Sequence, residues 1–396
     1  MSKRYQGGIL GVGFNPLRAP NAPTIGTATA GGNNCASVAF TAPACVGGSA
    51  ITSYTARSEP TGFGGAAASS PVTVSGLTNG ASYTFGAFAL NSYGPSPISA
   101  FSNSITAVLD GTFSIFALGM TNGGRIATRN KYTYSGCAVS AGTAASTASS
   151  CGSAEGNSTV GIFALGITSP YVTTRDKYTY VGCVVSAGGA ATVASGTGSA
   201  AGNSTVGIFA LGYNGTSYLT TRDKYTYSGD VVSAGGAATV ASGCNSATGN
   251  STVGIFALGA TPSASTTRNK YTYSGDVVSA GTASTVASAF GSSAAGNSTV
   301  GIFALGYTTG PSTTRNKYTY AGCVVSAGGA ATAASYSGSA AGNSTVGIFA
   351  LGTTGTRVTT RDKYAYSGDV VSAGGAATVA STSGSAASNG IAGITL

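Results

Sequence analysis

The phrase Ile-Phe-Ala-Leu-Gly returns six times in this chain, beginning at Ile115, Ile162, Ile208, Ile255, Ile302 and Ile348. The intervals are 47, 46, 47, 47 and 46 residues. A second phrase, Lys-Tyr-x-Tyr, keeps the same register from Lys131, Lys177, Lys224, Lys270, Lys317 and Lys363. A unit of that length buries too little surface to fold alone, so the copies must stack on one another. The array occupies residues 107–396, leaving an arm at 1–22 and a separate domain at 23–106.

Each copy divides into four short strands. In the second copy, Ser158–Gly166 carries apolar or small residues on both faces, which marks a strand buried on both sides. Thr174–Tyr180 alternates Arg175, Lys177 and Thr179 with Asp176, Tyr178 and Tyr180. Val184–Ala187 is a third strand, and Ser199–Gly202 runs through the Gly202-Asn203 turn into the next copy. Four strands in roughly 40–50 residues is the arithmetic of a β-propeller blade. The apolar first strand is expected to line the inner region, with the Arg-x-Lys strand further out. Six blades are expected. The degenerate segment Gly390–Leu396 would be a seventh first strand, which leaves open a blade shared between the two ends or a partial seventh blade.

Charge and chemistry are sparse. Charged residues make up 7% of the chain, and 12 of the 18 Lys and Arg sit in the repeated Arg-x-Lys element, so the net charge of +9 is spread around the array. A nucleic-acid partner calls for a concentrated basic patch, so none is expected. The chain has no histidine and nine carboxylates, several at repeat positions, so general acid–base catalysis lacks its usual groups. We expect no enzyme, no catalytic residue, no metal and no cofactor. A paired-carboxylate glycosidase is the enzyme reading weighed against this. Cys35 and Cys45 flank an extended strand that would hold them beyond disulfide reach. Cys137, Cys183 and Cys323 share a repeat position with Asp230, Asp276 and Asp369, which reads as a tolerant surface or edge site. No apolar run approaches the ~20 residues of a membrane span. The opening Met1-Ser2-Lys3-Arg4 is followed by too short an apolar stretch for a secretory leader.

Short strands with turn punctuation run through 23–106: Cys35–Thr41, Ile51–Ala56, Val72–Ser75, Tyr83–Leu90 and Ile98–Phe101. Leu77-Thr78-Asn79-Gly80-Ala81-Ser82-Tyr83 resembles the tyrosine corner of a fibronectin type III domain, and Gly47–Tyr54 resembles bacterial and phage versions of that module. The resemblance implies a spacer or adhesive domain. Gly156-Asn157-Ser158-Thr159-Val160-Gly161-Ile162-Phe163 resembles the strand hairpin of kelch-type blades. With Lys-Tyr-Thr-Tyr it is closer still to kelch-like repeat proteins of marine and cyanobacterial tailed phages, over residues 107–396. The expected fold is therefore all-β: a fibronectin type III-like sandwich followed by a kelch-like β-propeller. The resemblance implies a non-enzymatic structural protein of the virion, assembled in the host cytoplasm and present in several copies per particle. It would be a tail fibre or appendage that attaches to the host, or a decoration protein. The alternative is a secreted or surface carbohydrate-binding adhesin, located outside the cell.

Three groups of residues are candidates for contact. The arm offers Tyr5, Ile9, Leu10, Val12 and Phe14 for docking on other virion proteins, by strand addition for example. The stretches after each Ile-Phe-Ala-Leu-Gly vary while the scaffold does not, and binding residues favour such loops. Tyr171, Tyr213, Tyr218 and Tyr307 suit sugar rings of a host surface glycan, and Arg125 and Arg357 suit acidic groups. The Arg-x-Lys ring is an anion surface, a set of side chains paired with nearby Asp and carbonyls, or a means of keeping the outer strand solvated and its edge protected. Asn157, Asn203, Asn250, Asn297, Asn343 and Asn214 match glycosylation sequons but read as tight-turn residues.

Overall fold

The computed structural model describes residues 17–32, 35–78, 81–107, 113–261 and 263–389. The arm candidates Tyr5, Ile9, Leu10, Val12 and Phe14, and the segment Gly390–Leu396, lie outside the described residues. The chain is all-β and divides into two units, with the boundary between Leu109 and Asp110.

The first unit has strands β1 (Thr24–Gly32), β2 (Cys35–Thr41), β3 (Ser53–Glu59), β4 (Gly64–Ala67), β5 (Val72–Val74), β6 (Ser82–Asn91), β7 (Gly94–Pro95) and β8 (Ile105–Thr106). They form two sheets, β1-β2-β5 and β4-β3-β6-β7, with β8 also on β6. Alternation sends Ala36, Val38 and Phe40 of one sheet and Phe85, Ala87 and Ala89 of the other into a common core. Leu77 is buried, and the Tyr83 hydroxyl accepts a hydrogen bond from the Thr78 N–H at 3.1 Å, as the corner motif expects.

Ile98–Phe101 is not a strand. Ser96, Ser99 and Ser102 recur every three residues, donating their N–H groups to Ala89, Ala87 and Phe85 carbonyls at 2.8, 2.8 and 2.9 Å. Their hydroxyls accept from the N–H groups of the same three residues at 3.0, 2.9 and 3.1 Å. The edge of β6 is thus satisfied with a polyproline-like period of three rather than a pleat of two. That period turns Ile98 and Phe101 outward.

Among the described residues the second unit holds six four-stranded antiparallel sheets and one two-stranded hairpin. The third illustrates all of them: Ser199–Gly202, Val206–Ala210, Arg222–Thr226 and Val231–Ala234, in that order. The structural sheet is displaced from the sequence repeat, because each small Ser-Ala-x-Gly strand pairs with the apolar strand that follows it. The displacement leaves the first sheet one strand short. Ser385–Ser388, from the far end of the chain, supplies it by pairing with Phe113–Ala117.

The apolar strand, expected to line the inner region, is second in each sheet, and the small Ser-Ala-x-Gly strand lies inside it. The Ser-Ala-x-Gly strands of successive sheets lie against one another, and Ser385–Ser388 lies against both Ser153–Gly156 and Ser339–Gly342. Only small side chains allow six strands to converge so closely. A Cβ on Gly161, Gly254 or Gly347 would come within 3.1 Å of the Cβ of Ala387, Ala201 or Ala295.

The six arginines of the third strands are 0–1% exposed. Each crosses to the next sheet. Arg129, Arg175 and Arg315 reach Asp176, Asp223 and Asp362 at 2.9, 2.7 and 2.8 Å. Arg222, Arg268 and Arg361 reach Asn269, Asn316 and Asn130 at 3.0, 3.2 and 3.3 Å. Each guanidinium also lies 4.5–4.6 Å from the centroid of a phenylalanine ring of that next sheet, a cation–π contact. Of the three readings of the Arg-x-Lys ring, the arginines therefore follow the paired one.

Candidate functional site

The variable stretches join second to third strands at the same end of every sheet, and each folds as a small hairpin. Met120–Thr121 pairs with Gly124–Arg125, and single bridges close the others: Ile167 with Tyr171, Tyr213 with Tyr218, Ala260 with Ala264, Tyr307 with Pro311 and Thr353 with Arg357. The first residue of each hairpin also bridges to the run-in of its own innermost strand: Met120 to Thr382, Ile167 to Ser150, Tyr213 to Gly196, Ala260 to Gly243, Tyr307 to Phe290 and Thr353 to Tyr336. Backbone bonds such as Cys151 N–H to Ser383 O, Thr197 N–H to Cys151 O and Ser383 N–H to Ser337 O, all 2.8 Å, tie neighbouring run-ins together. The loops therefore stand on a hydrogen-bonded base.

In the first three copies the last hairpin residue and the run-in of the following sheet share one space, a large side chain against a small residue. Arg125 meets Ser150, Tyr171 meets Gly196, and Tyr218 meets Gly243. The contacts bear this out where they are closest. Arg125 Nε donates to Ser150 Oγ at 3.1 Å. A Cβ on Gly196 would lie 3.1 Å from the Tyr171 ring, and one on Gly243 2.8 Å from the Tyr218 ring. At these three positions the hairpin supplies the large side chain.

Two aromatic clusters result. Tyr171 stands edge-on to Tyr213 with centroids 6.0 Å apart, and Tyr213 lies 5.2 Å from Tyr218. Tyr307 stands between Phe290 at 6.4 Å and Tyr336 at 5.5 Å. Phe290 is exposed and the five tyrosines are half-buried, and the Tyr213 hydroxyl donates to Gly215 O at 3.0 Å. Burial pushes the Tyr171 hydroxyl above its usual range, with the nearby Tyr213 adding to the effect. Arg357 donates through Nη1 to Asn122 Oδ1 at 2.6 Å, joining the last hairpin to the first. Sequence reasoning found four of these aromatics and missed Phe290 and Tyr336. Their signal was an aromatic at a run-in position that is Ser, Gly or Thr in the other copies.

The sequon asparagines are turn residues. Asn157 Oδ1 accepts from Thr159 N–H at 2.9 Å and Val160 N–H at 3.0 Å, while Nδ2 donates to Ser204 O of the next turn at 3.1 Å. Asn203, Asn250 and Asn297 repeat the pattern toward Ser251, Ser298 and Ser344. The Cys/Asp position, expected as a tolerant surface site, is a constrained one. Cys137, Cys183, Cys323, Asp230, Asp276 and Asp369 all have φ of 52–55° after a left-handed glycine. Asp230 accepts from Lys177 of the preceding sheet at 2.8 Å and from its own sheet's Tyr225 hydroxyl at 2.8 Å. Lys270 approaches Cys323 Sγ at 3.8 Å in the equivalent place. Cys45, Cys137, Cys151, Cys183, Cys244 and Cys323 remain thiols.

No family model matches the chain, and no curated protein matches it. Among solved structures, a crystal structure of titin domains is similar at 25% identity over 23% of this chain and 32% of the titin chain, with a TM-score of 0.21.

Proposed function

We propose that the six sheets form a closed six-bladed propeller, that the first unit is a fibronectin type III-like module, and that the chain is a non-enzymatic structural protein of a tailed-phage particle. Closure is supported by the pairing of Ser385–Ser388 with Phe113–Ala117 and by the Arg361–Asn130 contact between the last and first sheets. The phage assignment rests on the likeness of the Gly-Asn-Ser-Thr-Val-Gly-Ile-Phe and Lys-Tyr-Thr-Tyr phrases to phage repeat proteins. The hairpin end binds a host surface glycan without turnover, and residues 1–22 anchor the chain to other virion proteins.

The observation that carries the binding reading is the pair of aromatic clusters on the hairpins around Tyr213 and Tyr307. Aromatic rings held edge-on present open faces to sugars at little entropic cost. A single site of this kind is weak, and several copies on one particle raise avidity by roughly 10²–10⁴ where geometry permits. Replacing both Tyr213 and Tyr307 with Ala should reduce adhesion to host cells at least tenfold while thermal stability changes little. Undiminished adhesion would make the hairpin end a passive surface. Deleting residues 1–22 should leave a folded protein that no longer joins the particle. Full occupancy by the truncated chain would remove the anchoring role and favour the secreted adhesin.

A further inference from the structure

The left-handed turn that follows each third strand carries aspartate in three sheets and cysteine in three. The aspartates are fully engaged. Asp230, Asp276 and Asp369 accept from Lys177, Lys224 and Lys317 of the preceding sheet at 2.8, 2.9 and 2.9 Å. Each also accepts from a tyrosine hydroxyl of its own sheet, Tyr225, Tyr271 or Tyr364, at 2.8 Å.

Cys323 stands in the same setting without the anion. Its φ is 54° after Gly322 at 75°, a region in which Asp and Asn are the enriched non-glycine residues. The Lys270 ammonium approaches its Sγ at 3.8 Å. Tyr318, the counterpart of the three donor tyrosines, is 0% exposed, and its hydroxyl has no hydrogen-bond partner. Burial and the neighbouring Cys323 push that hydroxyl up to about 12. Cys323 itself is half-buried between the exposed Gly322 and Val324, so a small solute can reach its sulfur. At Cys183 the lysine of the preceding sheet, Lys131, lies 4.1 Å from the Phe113 ring centroid, which leaves Cys323 the better furnished of the two.

We propose that Cys323 is a modification site for hydrogen peroxide, and that the sulfinate formed there takes the place of the aspartate carboxylate between Lys270 and Tyr318. The sulfur attacks the peroxide. An S–O bond forms as the O–O bond breaks, and the second oxygen leaves as water, giving a sulfenic acid. A second peroxide repeats the step, and the sulfinic acid releases its proton to water. Each step takes two electrons from sulfur and reduces one peroxide. The product carries one negative charge and acceptor oxygens, as aspartate does. The 3.8 Å gap leaves room for an oxygen at the ~2.7–2.9 Å of a charge-assisted bond to Lys270. Tyr318 gains the acceptor it lacks.

The test treats the whole chain with millimolar hydrogen peroxide, then dithiothreitol, and maps its peptides by mass. Cys323 should carry two added oxygen atoms that dithiothreitol does not remove, the mark of a sulfinic acid. Its yield should exceed that of Cys151, a half-buried thiol at the hairpin end. Lys270→Gln and Tyr318→Phe should each lower the Cys323 yield several-fold and leave Cys151 unchanged. Cys323→Asp installs the residue of three other copies, so it folds. It should raise the melting temperature by about 1–3 °C, and peroxide should raise that of the wild type similarly but not that of Cys323→Asp. Oxidation at Cys323 that only matches Cys151, that dithiothreitol reverses, or that both variants leave unchanged overturns the proposal. So does a Cys323→Asp chain that melts below the wild type.

Discussion

The contacts between neighbouring sheets come in two kinds that differ by one atom. Between sheets 1 and 2, 2 and 3, and 5 and 6, the buried arginine faces an aspartate. Between sheets 3 and 4, 4 and 5, and 6 and 1, it faces an asparagine. The aromatic shelf is the same in both, as the near-constant guanidinium-to-phenylalanine distances show. What changes is the compensation for burial. Burial lowers all six arginines from their usual range, and facing an asparagine Arg222, Arg268 and Arg361 fall to about 10. All six stay charged at neutral pH. A buried cation can thus be held by shape, ring faces and a neutral acceptor, with a counter-charge at only half the contacts.

Truncation separates the two kinds most strongly. Asp223→Ala leaves Arg175 buried without its partner and strips acceptors from the Thr192 N–H and hydroxyl, which bond Asp223 at 3.0 and 2.6 Å. Breaking a buried pair from one side costs about 3–5 kcal/mol. Asn269→Ala removes the acceptor for Arg222 and for the Thr239 N–H, a loss of about 1.5–3 kcal/mol. Urea unfolding followed by tyrosine fluorescence should rank the two in that order. Equal costs would mean that the shelf, rather than the acceptor, holds the arginine.

The sequence makes the period, the strand content and the turns legible, because alternation and Gly-Asn pairs are local signals. It hides what depends on neighbouring sheets. Ser-Ala-x-Gly has little pattern of its own, and its place at the centre follows only from six strands converging. Arg-x-Lys reads as a solvated strand because charge usually means exposure; its burial depends on the Phe and Asp or Asn of the next copy, about 47 residues on. For the hairpins, the reciprocal sizes of Tyr171 with Gly196 and Tyr218 with Gly243 are written in the sequence. They become readable only once those positions are known to share a space. The Cys/Asp exchange misleads for a similar reason: both residues occupy one left-handed turn beside a lysine.

The smallest effect should come from exchanging the two kinds of contact. Asp223 accepts from the Thr192 hydroxyl at 2.6 Å, whereas Asn269 donates through Nδ2 to the Thr239 hydroxyl at 2.8 Å. The threonine occupies the same place in each, and only the direction of its hydrogen bond differs. A hydroxyl both donates and accepts, so it can rotate to suit either partner. Asp223→Asn should therefore keep every heavy-atom contact and lose only the Coulombic gain over desolvation, which for a buried pair is often close to zero. Asn269→Asp should be equally mild, and should also lift Arg222 from about 10 toward the range of the aspartate-paired arginines. Each exchange should change unfolding free energy by about 1 kcal/mol or less. A loss of more than about 2 kcal/mol in either would show that the pattern of three aspartates and three asparagines is itself selected, and that the two kinds of contact are not interchangeable.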